Sequence, residues 1–157
     1  LKIGLAEAGV VILENQKVQI TREGESITLM GIDDPSFQED YLFGDSESVA
    51  RQAIDDLQNE SEGYTILLSH RPELFDLYVE TEMDLVFSGH AHGGQFRLPF
   101  IGGLVAPNQG FFPKYDAGQF NEENTTMIVS RGVGNSIIPI RFNNRPEIVL
   151  VTLRNMK

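Results

Sequence analysis

Short apolar runs bounded by polar turns fill the first half of the chain, and their spacing separates strands from helices. Val10 to Leu13, Val18 to Thr21 and Ile27 to Gly31 are brief apolar-rich runs, with Glu14-Asn15-Gln16 and Arg22-Glu23-Gly24-Glu25 between them. They predict three short strands in a meander. Val49, Ala50, Ala53, Ile54 and Leu57 then recur at helical spacing behind Asp45 and Ser46, either of which can cap a helix N-terminus. Tyr64 to Leu68 and Leu85 to Phe87 read as interior strands, and between them Pro72-Glu73 is followed by Leu74, Phe75, Leu77 and Tyr78 at helical spacing. Such a strand-helix-strand unit joins parallel neighbours. Arg97 to Asn124 carries Gly and Pro without a periodic run and is expected to be a functional loop, with Phe100, Phe111, Phe112 and Tyr115, and Phe96 just before it, to pack it. Strands are predicted at Met127 to Ser130 and Glu147 to Leu153.

The two interior strands each lead into histidine. His70 follows the first and Ser88-Gly89-His90-Ala91-His92-Gly93-Gly94 follows the second, which accounts for all 3 histidines of the chain. Open α/β sheets place ligands at the carboxyl ends of parallel strands, so His70 and His90 are expected to meet. Neutral imidazole is the commonest side-chain metal ligand, and histidines one residue apart in an extended segment project to the same side. Glycines around them permit close backbone approach to a ligand. An isolated His-x-His is more often a pair of polar loop residues. Three histidines converging on adjacent strand ends favour metal ligation.

The runs Leu67-Leu68-Ser69-His70-Arg71-Pro72-Glu73 and Ser88-Gly89-His90-Ala91-His92-Gly93-Gly94-Gln95 resemble the calcineurin-like metallophosphoesterases, which end with this His and Gly-His-x-His series. Arg97-Leu98-Pro99-Phe100, Phe112-Pro113-Lys114-Tyr115 and Ser130-Arg131-Gly132 resemble the bacterial branch associated with the membrane or cell envelope. The resemblance covers most of the chain. It implies an α/β fold, the carboxyl-terminal half of a two-sheet sandwich, in a phosphoester hydrolase that uses a two-metal-activated hydroxide. In that scheme His70 and His90 match ligands of one ion and His92 a ligand of the other.

The Asp-x-His, Gly-Asp-x-x-Asp and Gly-Asn-His-Asp or Glu motifs that the family carries upstream are absent. Gly44-Asp45-Ser46-Glu47-Ser48 has serine at its fifth position, and Gly134-Asn135-Ser136 lacks the histidine. A chain opening on Leu1 is therefore expected to be the carboxyl-terminal part of one metallophosphoesterase domain, spanning 1–157. Two divalent transition metals, Mn, Fe or Zn, are expected in the intact parent. This portion should hold at most one, weakly, with little turnover of its own. The alternatives are a non-catalytic protein-interaction scaffold and a mononuclear metal-binding module of the same fold.

Composition narrows this further. At 157 residues and 41% hydrophobic the chain has the length and apolar content of one domain. A net charge of −11 argues against non-specific binding to nucleic acid or anionic lipid. With no cysteine, any metal takes nitrogen and oxygen ligands. No apolar run approaches the roughly 20 residues that span a bilayer. The compartment stays undecided, with membrane or envelope association of the parent an option.

Arg71, Arg97, Lys114 and Arg131 are candidates for contacting a substrate phosphate, Arg131 foremost because Gly132 follows it, and Gln95 joins them. Asp33-Asp34-Pro35 and Asp55-Asp56 each offer a carboxylate pair for acid-base work, but the first reads better as turn chemistry and the second as a solvated helix face. No Gly-x-Ser-x-Gly elbow, phosphate-cradling Gly-x-x-x-x-Gly-Lys loop or His-Glu-x-x-His helix occurs, which removes those hydrolase classes. The expected partners are a phosphodiester or phosphomonoester, with a lipid-linked one left open by the aromatic loop, and the missing amino-terminal half. Without that half, an uncovered sheet face should either drive self-association, for instance a homodimer, or stand exposed as an unusually large apolar patch.

Overall fold

Strand β1 (Gln16–Arg22) turns through Glu23 and Gly24 into β2 (Glu25–Gly31), an antiparallel hairpin in register from Gln16 opposite Gly31 to Arg22 opposite Glu25. The turn needs left-handed backbone at both central residues, and glycine takes the second at no steric cost. The computed structural model describes residues 2–37, 45–59, 61, 63–135 and 140–154. Within them, β2 is followed by α2 (Ser46–Gln58), β3 (Tyr64–Leu68), α3 (Phe75–Glu80) and β4 (Leu85–Ser88). A short helix α1 (Lys2–Glu7) precedes β1. Beyond β4 come two ribbons, β5 (Arg97–Leu98) with β6 (Gly102–Gly103) and β7 (Val105–Ala106) with β8 (Gly110–Phe111), and then a hairpin of β9 (Gly118–Glu122) and β10 (Thr125–Val129).

The main sheet has 6 strands in the order β1-β2-β3-β4-β10-β9. Its four central strands run parallel and only the edge strands β1 and β9 are antiparallel. Met30, Leu67, Val86 and Met127 stand in register across these four strands and are each 0% exposed. Over the core pack Ala50, Ile54 and Leu57 of α2 and Phe75, Leu77 and Tyr78 of α3. Each fully buried side chain of this size contributes about 1.5–3 kcal/mol. The Asp45 carboxylate caps α2 by accepting from the Ser48 amide at 2.6 Å.

Two expected strands are absent. Val10 to Leu13 does not pair: the Val10 amide bonds back to the Leu5 carbonyl, and Leu13 packs across Gly31 where no side chain stands. The three-stranded meander is thus a two-stranded hairpin. Glu147 to Leu153 has strand-like apolar content, yet among the described residues no strand pairs with it, and Ile148 and Leu150 point outward. The expected strand Met127 to Ser130 forms as Thr125–Val129. The stretch read as one long loop contains β5 to β9. Gly44 and Ser136 lie outside the described residues. Among the described residues no helix is long and apolar enough to cross a membrane.

Candidate metal centre

The parallel strands β2, β3 and β4 end side by side, and the loop after each contributes one side chain: Asp34, His70 and His90. One ligand atom from each lies within 4.8 Å of the others. The two imidazoles meet edge to face, with ring centroids 4.7 Å apart and planes at 70°. The expectation that His70 and His90 converge is met.

His70 is held from both sides. The buried Tyr78 hydroxyl, on α3, donates to the Arg71 carbonyl at 2.6 Å and takes a bond from the Ser69 hydroxyl at 2.7 Å. Arg71 lies beneath, its side chain 6% exposed, with Nε 3.0 Å from both Asp34 oxygens, Nη2 2.7 Å from Asp34 Oδ1, and Nη1 3.2 Å from Glu73 Oε1. Burial alone would raise the Asp34 carboxyl, but the bonds from Arg71 and Ser36 override it and hold it well below the usual carboxylate range. One guanidinium against two carboxylates leaves a single uncompensated negative charge. Glu73 Oε2 is moreover buried without a hydrogen-bond partner.

Burial pushes the His90 imidazole down, and His70 adds to the effect. A neutral ring is the ligating form. Its Nε2 lies 3.1 Å from the Asn108 side-chain amide, brought over by the β7-β8 turn.

The loop that follows is not extended. His90, His92, Gly93, Gly94 and Gln95 all have left-handed backbone, with φ from +46° to +73°, interrupted only by Ala91. His90 and His92 are therefore not placed on one side by strand alternation. His92 stands outside the close group formed by Asp34, His70 and His90, though His70 is near enough to help lower its imidazole, after burial and the Arg141 charge. Asn144 fixes this loop: its amide donates to the carbonyls of His92 at 2.6 Å and Gln95 at 3.2 Å.

The four basic residues singled out in the sequence all have partners. Arg71 serves Asp34 and Glu73; Arg97 donates to the Gly93 carbonyl at 2.9 Å and to Asp116 at 2.8 Å; Arg131 pairs with Glu147; and Lys114 lies over the Tyr115 ring, 4.7 Å from its centroid. Arg97 also lines an open cleft of about 700 Å³ with Phe100 and Lys114, which includes none of the histidines. Gln95 is buried.

Asn108, Arg141 and Asn144 were not marked by the sequence, and Asp34 was read from it as a turn residue rather than a ligand. Asp34 does form the turn its sequence suggests, accepting from the Ser36 amide and hydroxyl, and reaches the histidines as well. Two imidazoles and a carboxylate in a net-negative setting form a donor set that fits a divalent transition metal.

Three relatives bear on this site. The metallophosphoesterase YkuE of Bacillus subtilis, itself uncharacterized, is 37% identical over 92 residues, 59% of this chain and 32% of that protein. The phosphodiesterase YaeI of Escherichia coli is 30% identical over 151 residues, 95% of this chain and 49% of its own length. Similarity to metallophosphoesterases along most of the chain supports the calcineurin-like family. Another relative is the UDP-2,3-diacylglucosamine pyrophosphatase LpxG of Chlamydia trachomatis, 36% identical over 98 residues, 55% of this chain and 28% of that protein. The chain spans about half the length of YaeI and a third or less of YkuE and LpxG. No family model and no solved structure matches it. The metallophosphoesterase family as a whole implies use of a divalent metal.

Proposed function

We propose that this chain is the histidine-bearing, carboxyl-terminal half of a two-sheet metallophosphoesterase domain, and that the whole protein hydrolyses a phosphodiester or phosphomonoester. The observation that carries this reading is the meeting of His70 and His90 with a carboxylate at neighbouring parallel strand ends, in a chain with metallophosphoesterase relatives. In this reading His70 and His90 ligate one ion and His92 a second. A divalent ion bound there supplies Lewis-acid polarisation of a phosphoryl oxygen and acidifies water.

The chain's own residues prepare the site. Tyr78 and Arg71 fix the backbone around His70, burial keeps His90 neutral, and Asn144 sets the shape of the loop that carries His92. Gln95, Arg97 and Arg131 are the substrate-side residues of this reading. Arg97 and Arg131 reach a phosphate by exchanging their carboxylate partners. The name of LpxG describes a diacylated nucleotide sugar as its substrate, and Phe100, Phe111 and Phe112 stand exposed on the ribbons after the histidine loop. Together they support a lipid-linked substrate.

In this reading the 157-residue chain alone holds at most one ion, weakly, with little or no turnover. The test is hydrolysis of bis(4-nitrophenyl) phosphate by the whole protein with added Mn. His90→Ala or His92→Ala should lower the rate by about two orders of magnitude or more, since even groups that only support a ligand are worth 10–100-fold. Activity equal to wild type in either variant refutes ligation. A whole protein with no activity favours the scaffold reading.

A further inference from the structure

We propose that Arg141 forms an anion site beside His92, its guanidinium taking a phosphoryl oxygen of the bound ester. This deepens the phosphoester reading and rests on it. Among the described residues, the buried side-chain atoms without a hydrogen-bond partner belong to Glu73, Ser88, Asn144 and Arg141. Each borders the histidine loops: Glu73 pairs with Arg71, Ser88 leads into Gly89-His90, and Asn144 holds the His92 carbonyl.

Arg141 supplies the only cation in this set. Its Nη2 donates to the Arg131 carbonyl at 2.9 Å and to the Gly134 carbonyl, which anchors the side chain to the loop after β10. Nε and Nη1 are left buried and unpaired. A guanidinium stays charged and offers five N–H donors and no acceptor, so an oxygen-rich anion is the acceptor that meets both its donors and its charge. An unmet donor in the interior carries the full cost of its lost hydration.

The polarity of the surroundings identifies the acceptor. Around His70 and His90 the buried charges are Asp34, Glu73 and Arg71, net negative, and suit a cation. On the His92 side the chain brings in Arg141, whose neighbour Phe142 bonds to the histidine loop, its amide donating to the Gln95 carbonyl at 3.3 Å and its carbonyl accepting from the Arg97 amide at 2.9 Å, and this charge suits an anion. With an ion held by His70 and His90, a phosphoester bound there would have further oxygens free for Arg141. Arg71, Arg97 and Arg131 already have carboxylate partners, whereas Arg141 has none among the described residues.

The test is calorimetric titration of the 157-residue chain with inorganic phosphate. The variants are Arg141→Gln, Arg141→Lys and, as a control, the exposed Arg145→Gln, with a thermal melt of each. Arg141→Gln should weaken phosphate roughly tenfold or more, the value of a charge-assisted hydrogen bond, and Arg141→Lys several-fold, while Arg145→Gln leaves it unchanged. If Arg141→Gln does not fold, the Arg141→Lys result decides. Equal affinity in the folded Arg141 variants and wild type overturns the proposal, as does no binding by wild type up to roughly 50 mM, where even a millimolar site would saturate. Phosphate binding that depends on Arg141, in a whole protein that hydrolyses no phosphoester, upholds the anion site and removes the phosphoester reading. Hydrolysis by a whole-protein Arg141→Gln variant with unchanged KM removes Arg141 alone.

Discussion

Asn144→Asp changes one group at the point where the histidine loop is held. Asn144 is 3% exposed, and its amide donates to the carbonyls of His92 and Gln95. These cap a run of left-handed residues in which His92 and Gln95 are not glycine, each costing about 1–2 kcal/mol of backbone strain. The aspartate is isosteric but has no donor when ionised, and its oxygen faces two carbonyl oxygens. Losing two hydrogen bonds at roughly 1 kcal/mol each, and burying a carboxylate with no cation at that oxygen, gives a deficit of about 4 kcal/mol at neutral pH. The introduced carboxyl should titrate above its unfolded value of about 4, because only its protonated form donates. The deficit is then smallest at acid pH and grows as pH rises through the folded value. Urea denaturation of variant and wild type at pH 4.5 and 7.5 measures it. A deficit below about 1 kcal/mol at pH 7.5, or one that does not change between the two pH values, refutes the reasoning.

Three further outcomes are expected. Arg71→Gln leaves the Asp34 and Glu73 carboxylates buried without their cation and should cost about 3–5 kcal/mol in urea denaturation; a loss under about 1 would contradict the buried pair. Because the folded Asp34 carboxyl lies below its unfolded value near 4, its pairing stabilises above that pH and is lost as pH falls toward the folded value. Stability should therefore drop more steeply between about pH 5 and 2 in wild type than in Asp34→Asn, and parallel curves would contradict this. Gly94→Ala puts a Cβ into the Gly103 backbone at a position with φ of +73°, where neither chain can yield; a melting temperature within about 2 °C of wild type would show that the close approach is absent.

The fold was legible where a pattern depends on neighbours in the chain. Tyr64–Leu68 and the helix capped by Asp45 follow from local apolar spacing and end where the sequence changes character. Glu147 to Leu153 shows the limit of that signal, since a strand needs an edge to bond and sequence does not reveal whether one is vacant. The two-residue strands β5 to β8 are too short to leave any period. At the site, the histidines announce themselves by type and spacing. Asp34 does not, because its turn explains it fully until β2 is known to lie beside β3. Asn144 acts on a loop 52 residues earlier, and nothing local marks it.

The claim on which the rest depends is that His70 and His90 share an ion. Anomalous diffraction from crystals grown with Zn tests this directly. A peak is expected about 2.0–2.1 Å from one ring nitrogen of each histidine, absent in His90→Ala. A wild-type peak that touches neither imidazole, or one that persists unchanged in His90→Ala, would contradict it.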